Sequence, residues 1–462
     1  MAEVFREVNK KIHFIGIGGI GMSGIAKLFL RRGMKVCGSD LKLNNVVEEL
    51  IGMGAEIFIN HRSSNIKDAD MVVYSSAIKE DNPEFIEARR LGIPLIKRAQ
   101  ALAELMKDKI VITVTGSHGK TTTTSLASYL LLETGFFPTV AIGGILMNIN
   151  NNVYQGDGEF FVAEADESDG SFLYYRPRYS IITNVDYEHL DYYKDFDNLI
   201  NTYREFLDKT SVDGCVFSCS DDVNLKKILR DYKNRNIFFG LGEGADIYAR
   251  NMEIKALSSE FDCFWKNKFI DRFFLPLGGM HNISNALSVI ALGLELKIDL
   301  TFIKKALSGY KGVRRRLEVK FKNDDFMVLD DYAHHPTELK ATLSAVKNLK
   351  YRRTIAVFQP HRYSRTKLLL EEFSRSFDLA DYVIVTDIYP AGEKLIEGIS
   401  GRRVYEKIKE YSPDKQLCFL ANEEIVSHII NILQPEDLVI TLGAGDIIKT
   451  CDELVEELKR KS

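Results

Sequence analysis

Read only for hydrophobic and polar positions, the chain alternates short β-branched runs with helical stretches, and it restarts this pattern three times. The first block opens on the apolar run KIHFIGIGG. The helical SGIAKLFLRRG and the short strand MKVCGSD follow. MVVYSSA and IPLIKRA come next, separated by the helical NPEFIEARRLG. Strands alternating with helices predict a parallel sheet. The helical RAQALAELMKD leads into the second block, whose strands are KIVITVTG, EFFVAEAD and YSIITNVD. ADIYARNMEI, EFDCFWKN and KFIDRFFLPL are rich in β-formers and have no helix between them, which predicts a small antiparallel section. HNISNALSVIALGLEL then reads as a helix. After GVRRRLE the third block gives the strands FMVLDDYA, RTIAVFQP, DYVIVTDI, QLCFLAN and DLVITLGAG. Its helices are PTELKATLSAVKNL, TKLLLEEFSRSF, RRVYEKIKEY and EEIVSHIINIL, again a doubly wound α/β pattern.

Length agrees with three blocks: 462 residues make about three domains at roughly 150 residues each. We expect boundaries at 1–107, 108–312 and 313–462. A formal net charge of -4 argues against a nucleic-acid or membrane-surface partner. The six cysteines form no CxxC pair, and scattered reduced thiols in a cytoplasmic protein are the expected state. HFIGIGGIGMSGIAKLFL is glycine-rich and interrupted by charge, unlike a signal peptide or a membrane span.

The chemistry starts in the second block with VITVTGSHGKTTTT. A phosphate loop of the form G-x-x-x-x-G-K-[ST] needs glycine at position 114, where Val114 stands; the glycines are Gly116 and Gly119. The context is nevertheless a strand-to-helix turn, where outward N–H groups and the helix dipole suit an anion. Gly116 and Gly119 allow close backbone approach, Lys120 reaches terminal phosphates, and Thr121 can ligate Mg²⁺. The alternative is that the glycines only make the turn and the threonines only cap the helix. Four consecutive threonines are poor helix formers, however, which a plain core helix would not favour. Leu126, Leu130 and Leu131 are expected on one side of that helix. Glu164 ends the strand of VAEADESD, where a metal-binding carboxylate sits in such folds. TNVDYEHLD adds Glu188 and His189, a possible second cation pair in which His189 is the preferred ligand.

GIGGIGMSG places Gly16, Gly18 and Gly21 in a G-x-G-x-x-G spacing after a strand, and Asp40 ends the next strand. This is a dinucleotide fingerprint with a ribose-binding carboxylate. A diphosphate at a helix N-terminus describes a nucleotide sugar as well as NAD, so an NAD-dependent dehydrogenase remains an alternative at this point. In the third block, DDYAHHPTE and FQPHRYSRT both follow strands. They bring Asp330, Asp331, Tyr332, His334, His335, His361, Arg362 and Arg365 to strand ends, where ligands bind in open sheets. Arginines there suit a carboxylate or a phosphate.

Taken together, GIGGIGMSGIA, SSAIKEDNPE, GSHGKTTTT, EADESD, GMHNISNAL, GVRRRLE, DDYAHHPTE, FQPHRYSRT, DIYPAGE and TLGAGDI resemble, in order and across all three blocks, the Mur ligases of peptidoglycan synthesis. That family's loop is itself shorter than the standard spacing, which accounts for Val114. The resemblance implies an α/β protein of three domains. These are a Rossmann-like N-terminal domain for the UDP-sugar, a central P-loop-type ATPase domain with a parallel sheet plus a small antiparallel section, and a Rossmann-like C-terminal domain for the amino acid. It implies that ATP activates the carboxylate of UDP-N-acetylmuramate as an acyl phosphate, which the amine of L-alanine then attacks. A relative that attaches a tripeptide in cell-wall recycling is the alternative within the family.

By the same resemblance, ATP contacts fall on Gly116, Ser117, His118, Gly119, Lys120, Thr121 and Thr122, with His281, Asn282 and Asn285 on the adenine side and Arg314 on the phosphates. UDP-substrate contacts fall on Gly16, Gly18, Gly19, Gly21, Ser39, Asp40, Ser75 and Ser76. Tyr332, His334, Arg362 and Arg365 match positions that hold alanine. Thr121 and Glu164 are implied to hold one Mg²⁺, and Glu164 with His189 a second. Lys120, His189, Arg314 and His334 are the implied catalytic set. Several relatives carry a carbamylated lysine after the histidine; NTYREFLD offers none before Lys209, so none is expected. Partner nucleic acid and membrane insertion are not expected.

Overall fold

The computed structural model describes residues 10–255 and 257–461. Three sheets follow one another along the chain. The first has β1 (Lys11–Ile15), β2 (Lys35–Asp40), β3 (Glu56–Ile59), β4 (Met71–Tyr74) and β5 (Leu95–Lys97), in the order β3-β2-β1-β4-β5 and parallel throughout. Its helices are α1 (Ile20–Arg31), α2 (Asn45–Gly52), α3 (Pro83–Leu91) and α4 (Arg98–Leu105). Local chemistry starts two of them: Asn44 caps α2 by accepting from the N–H groups of Val46 and Val47, and Asn82 with Pro83 opens α3. The chain runs outward from β1 to β3 and returns to β4 beside β1. This reversal opens a crevice above the C-terminal ends of β1 and β4.

The second sheet has ten strands: β6 (Ile110–Thr115), β7 (Thr139–Leu146), β8 (Asn151–Tyr154), β9 (Phe160–Glu164), β10 (Tyr179–Ile182), β11 (Cys215–Cys219), β12 (Asn236–Gly240), β13 (Ile247–Lys255), β14 (Ser258–Trp265) and β15 (Lys268–Leu275). β6 lies centrally between β9 and β10 and is parallel to both. The expected antiparallel section is β13 to β15 at one edge, where two-residue links join successive strands and permit no parallel crossover. A second antiparallel pair, β7 with β8, closes the other edge and was not anticipated from the sequence.

After β6 comes α5 (Lys120–Glu133), the helix of the threonine run. Leu126, Leu130 and Leu131 are buried as expected, but so are Thr121, Thr123, Thr124, Ser125 and Ser128. A polar helix tolerates this because its hydroxyls turn back onto its own carbonyls: Thr124 donates to Lys120 O at 2.8 Å and Ser128 to Thr124 O at 2.7 Å.

The third sheet has β16 (Glu318–Lys322), β17 (Phe326–Asp331), β18 (Arg353–Phe358), β19 (Tyr382–Val385), β20 (Gln416–Phe419) and β21 (Asp437–Leu442), in the order β16-β17-β21-β18-β19-β20. Only the edge pair β16 with β17 is antiparallel. Every residue of β21 is buried, as the apolar run DLVITL requires of a central strand covered on both faces. Residues 366–377, read from sequence as one helix, form two: Tyr363–Leu368 and Leu370–Ser374, with Leu369 at φ -112 between them.

By compactness the chain divides into two units. Residues 1–252, 260–275 and 281–311 form the first, which contains the first two sheets except for the ends of the β13–β14 hairpin. Residues 253–259, 276–280 and 312–462 form the second. All six cysteines are free, and five are buried. Among the described residues no helix is long and apolar enough to cross a membrane.

Candidate active site

In the first unit, the loop after β6 is fixed by backbone requirements that only glycine meets. Gly116 has φ +130, and a Cβ there would lie 2.2 Å from Thr183 Oγ1. Gly119 has φ +82 and packs against Asn285, whose Oδ1 would be 2.8 Å from an added Cβ. The segment after β10 pins the loop from behind. Asn184 Oδ1 accepts from His118 N–H at 2.8 Å, Thr183 donates to His118 O at 2.6 Å, and Asp186 N–H donates to Ser117 Oγ at 2.8 Å. The first turn of α5 therefore presents its N–H groups on a preformed arc, an anion site by helix polarity alone.

Lys120 lies half-buried beside this arc and folds back onto it. Its ammonium donates to Gly116 O at 2.6 Å, Ser117 O at 3.1 Å and Glu167 Oε1 at 2.8 Å. Burial acts to lower its pKa, but Glu167 and Asp166 outweigh that and hold it above the ordinary lysine range. Glu164, at the end of β9, accepts from Thr121 Oγ1 at 3.2 Å and from Gly143 N–H at 2.9 Å. Burial raises its carboxyl pKa. The expected Thr121–Glu164 pair is thus adjacent. The second expected pair is arranged differently. His189, at φ +59, lies nearest Glu167 (3.6 Å) and Glu188 (3.8 Å), and these three offer ligand atoms all within 4.8 Å of one another. Glu167, only 1% exposed, leaves Oε2 with no hydrogen-bond partner. Hard carboxylate oxygens with one imidazole fit a divalent cation. Among the described residues no cysteine belongs to such a group. On the far side of the loop, Asn285 donates to Asn282 Oδ1 at 3.4 Å; both are buried, whereas His281 is exposed.

In the first sheet, Gly16 takes φ +74 and Gly19 is the N-cap of α1. Asp40 Oδ2 accepts from Gly18 N–H at 2.8 Å, and Oδ1 accepts from Leu41 N–H at 2.7 Å. The carboxylate read as a ribose contact therefore also holds the glycine turn itself. Ser39 is fully buried, donates to Glu84 at 2.6 Å and meets His61 Nδ1 at 2.8 Å; His61, not Ser39, is the member of that pair with exposed surface. Ser75 and Ser76 follow β4 at the rim, the first half-buried and the second exposed. Gly21 is small for an unanticipated reason: Arg98 lies against it, 2.5 Å from where a Cβ would stand.

In the second unit, the loops after β17 and β18 converge. Arg315 donates to Asp330 at 2.9 Å and to the carbonyls of Gly443 and Gly445, so of the three consecutive arginines it is the one turned inward; Arg314 is exposed. The guanidinium groups of Arg315 and Arg316 lie 5.2 and 5.3 Å from the centre of the Tyr332 ring. His334 Nδ1 is 3.0 Å from Tyr332 O, which selects the Nδ1–H tautomer and leaves the Nε2 lone pair as an acceptor. His361 stacks on Tyr389 and lies 3.2 Å from Arg365. Arg362 takes φ +70, a costly conformation for a side-chain-bearing residue and one found at ligand sites.

Burial lowers the pKa of His334 from 6.5 to about 4, and burial with His334 and Arg365 nearby lowers that of His361 to about 3. A histidine depressed in the folded state binds fewer protons there than when unfolded. The stability tied to it is intact above about 6.5 and is lost as pH falls toward about 4. Asp331, raised by burial to about 6, acts in the opposite sense over part of the same window. His334→Gln is therefore expected to flatten acid destabilisation by on the order of 2 kcal/mol relative to the parent chain. Urea melts at several pH values measure it, and parallel curves for the two proteins would refute it.

Three family models match in succession: the Mur ligase family catalytic domain over residues 11–110, the Mur ligase middle domain over 114–293 and the Mur ligase glutamate ligase domain over 315–445. A protein of Sulfurihydrogenibium sp. named UDP-N-acetylmuramate–L-alanine ligase is 47% identical, covering 99% of this chain and 100% of its own length. One of the same name from Geotalea uraniireducens is 46% identical over 97% and 98%. The crystal structure of UDP-N-acetylmuramate-alanine ligase from Thermotoga maritima superposes with a TM-score of 0.85 at 29% identity, covering 98% of this chain and 100% of that one. The dehydrogenase alternative raised by the first glycine loop gives way, because relatives matched over the full length are ligases. With the matched models spanning all three sheets and relatives this similar end to end, the chain belongs to the Mur ligase family.

Proposed function

We infer that this enzyme joins L-alanine to the carboxylate of UDP-N-acetylmuramate at the expense of ATP, in the synthesis of peptidoglycan precursors in the cytoplasm. The observation that carries the reading is a preformed glycine loop with a half-buried lysine, in a chain that is 47% identical over 99% of its length to a named ligase of this specificity. A carboxylate oxygen attacks the γ-phosphorus of ATP, the bond to the β-phosphate oxygen breaks, and ADP leaves. The amine of alanine then attacks the acyl carbon, the bond to phosphate breaks, and the nitrogen gives up its proton. Phosphoryl transfer of this kind depends on positioning and charge neutralisation. Lys120 and the N-terminus of α5 supply both from the protein, with Gly116, Ser117, His118, Gly119 and Thr122 completing the cradle and Asn282 and Asn285 on its adenine side. Thr121 with Glu164, and His189 with Glu167 and Glu188, are the groups that would hold Mg²⁺, whose charge would offset that of the phosphates.

In the second unit, Arg362 and Arg365 suit the alanine carboxylate, with Tyr332 as a further contact. His334, with its pKa lowered to about 4, stays neutral and suits a hydrogen-bond acceptor for the amine better than a proton store. Phosphate release measured with ATP, UDP-N-acetylmuramate and a panel of amino acids and peptides tests the assignment. Release is expected with L-alanine and not with a tripeptide; release with the tripeptide alone would replace this reading with the recycling activity.

A further inference from the structure

Arg98 is absent from every motif that pointed to the substrates, yet it occupies a place between the two nucleotide loops of the first unit. It is the first residue of α4, directly after β5. Its side chain runs across the first turn of α1. An added Cβ on Gly21 would come within 2.5 Å of Nη1 and 3.4 Å of Cζ. On its other side, Nη2 is 3.5 Å from Asp166 Oδ2, with both side chains about a third exposed (31% and 38%). Asp166 belongs to the acidic loop after β9. Asp166 therefore lies beside a guanidinium that overlies the first glycine loop.

The first turn of α1 supplies N–H groups with no intrahelical acceptor, the feature that attracts a diphosphate. The second sheet buttresses that turn directly. Asn152 Nδ2 donates to Ile20 O at 2.8 Å, and a Cβ on Gly24 would meet Val153 at 2.8 Å. A guanidinium has five donors in a planar fork suited to phosphate oxygens, and the ion pair to Asp166 is long for a hydrogen bond.

We propose that Arg98 is a substrate-binding residue that grips the diphosphate of the sugar nucleotide over the N-terminus of α1, and that Asp166 holds its guanidinium in position. Gly21 is then glycine to make room for this arginine. The inference rests on the reading of the first loop as the sugar-nucleotide site.

Competition against UDP-N-acetylmuramate binding, with UDP and with uridine as competitors, tests it on the full chain. If the parent protein fails to bind UDP-N-acetylmuramate, the underlying reading falls and Arg98 with it. If it binds, Arg98→Gln is expected to lose roughly 10- to 100-fold in affinity for UDP and little for uridine, which lacks the diphosphate. KM for UDP-N-acetylmuramate rises in step, while KM for ATP and the melting temperature stay near parental values. Arg98→Lys restores only part, because an ammonium cannot make the forked contact. Gly21→Ala, which displaces the guanidinium without removing it, gives the same selective loss of UDP. Equal loss of UDP and uridine, or unchanged UDP affinity in both Arg98→Gln and Arg98→Lys, would overturn the assignment and leave Arg98 as a strut between loops.

Discussion

Lys120→Ala is expected to lower kcat about a thousandfold, the scale seen when one charge-stabilising group is removed from a transition state. The same substitution also damages the fold. Glu167 is 1% exposed, and Lys120 is its closest cationic partner, at 2.8 Å. Removing one partner of a buried ion pair costs about 3–5 kcal/mol, because the remaining charge is left without compensation. Activity and stability therefore fall together in the single variant and must be separated. Lys120→Ala combined with Glu167→Gln removes the stranded charge, so its melting temperature is expected to recover toward the parental value while phosphate release stays low. A folded Lys120→Ala protein releasing phosphate within tenfold of the parent would mean that the lysine does not serve the transferring group.

The second large effect is on the second unit. Arg315 reaches Asp330, Gly443 O and Gly445 O, and it holds φ +63 to do so. Asp330 is fully buried, and burial raises its carboxyl pKa even with Arg315 against it. Arg315→Ala is expected to destabilise this unit by about 3 kcal/mol or more at neutral pH. A carboxyl raised in the folded state favours folding when protonated, and that advantage disappears as pH rises through its folded pKa. The deficit of Arg315→Ala is thus expected to shrink under mildly acidic conditions. Denaturant melts of both proteins across pH measure it; a deficit that grows on acidification would show that the carbonyl contacts, not the buried charge, dominate.

Neither effect could be ranked from the sequence. RRR at 314–316 drew attention to Arg314 through family likeness, whereas the inward-turned member is Arg315. Which of three adjacent arginines turns inward depends on Asp330 and on the 443–445 turn, more than a hundred residues away in the case of Gly443 (|i−j|=128). EADESD likewise advertised its acids without ordering them. Glu164, placed at a strand end from the sequence, ends β9 and accepts from Thr121 Oγ1, and strand geometry helps fix that direction. Glu167 lies in a loop, where direction is set by what packs around it: Tyr193 on its carbonyl and Lys120 on its carboxylate.

The sequence by itself determined three successive strand–helix blocks, most of their strands and the glycine turn before α5, whereas β3, β7, β8, β11, β12 and β16 were not legible in it. The legible features are local: alternation periods set strands and helices, and six consecutive residues between a β-branched strand and a helix suffice to build an anion site. Tertiary structure alone decided which charges meet. Arg98 beside Gly21 and Asp166, and Glu167 on Lys120 and beside His189, all join segments distant in the chain. Electrostatic interactions depend on separation in space and on burial, and a linear pattern specifies neither until the sheets have packed.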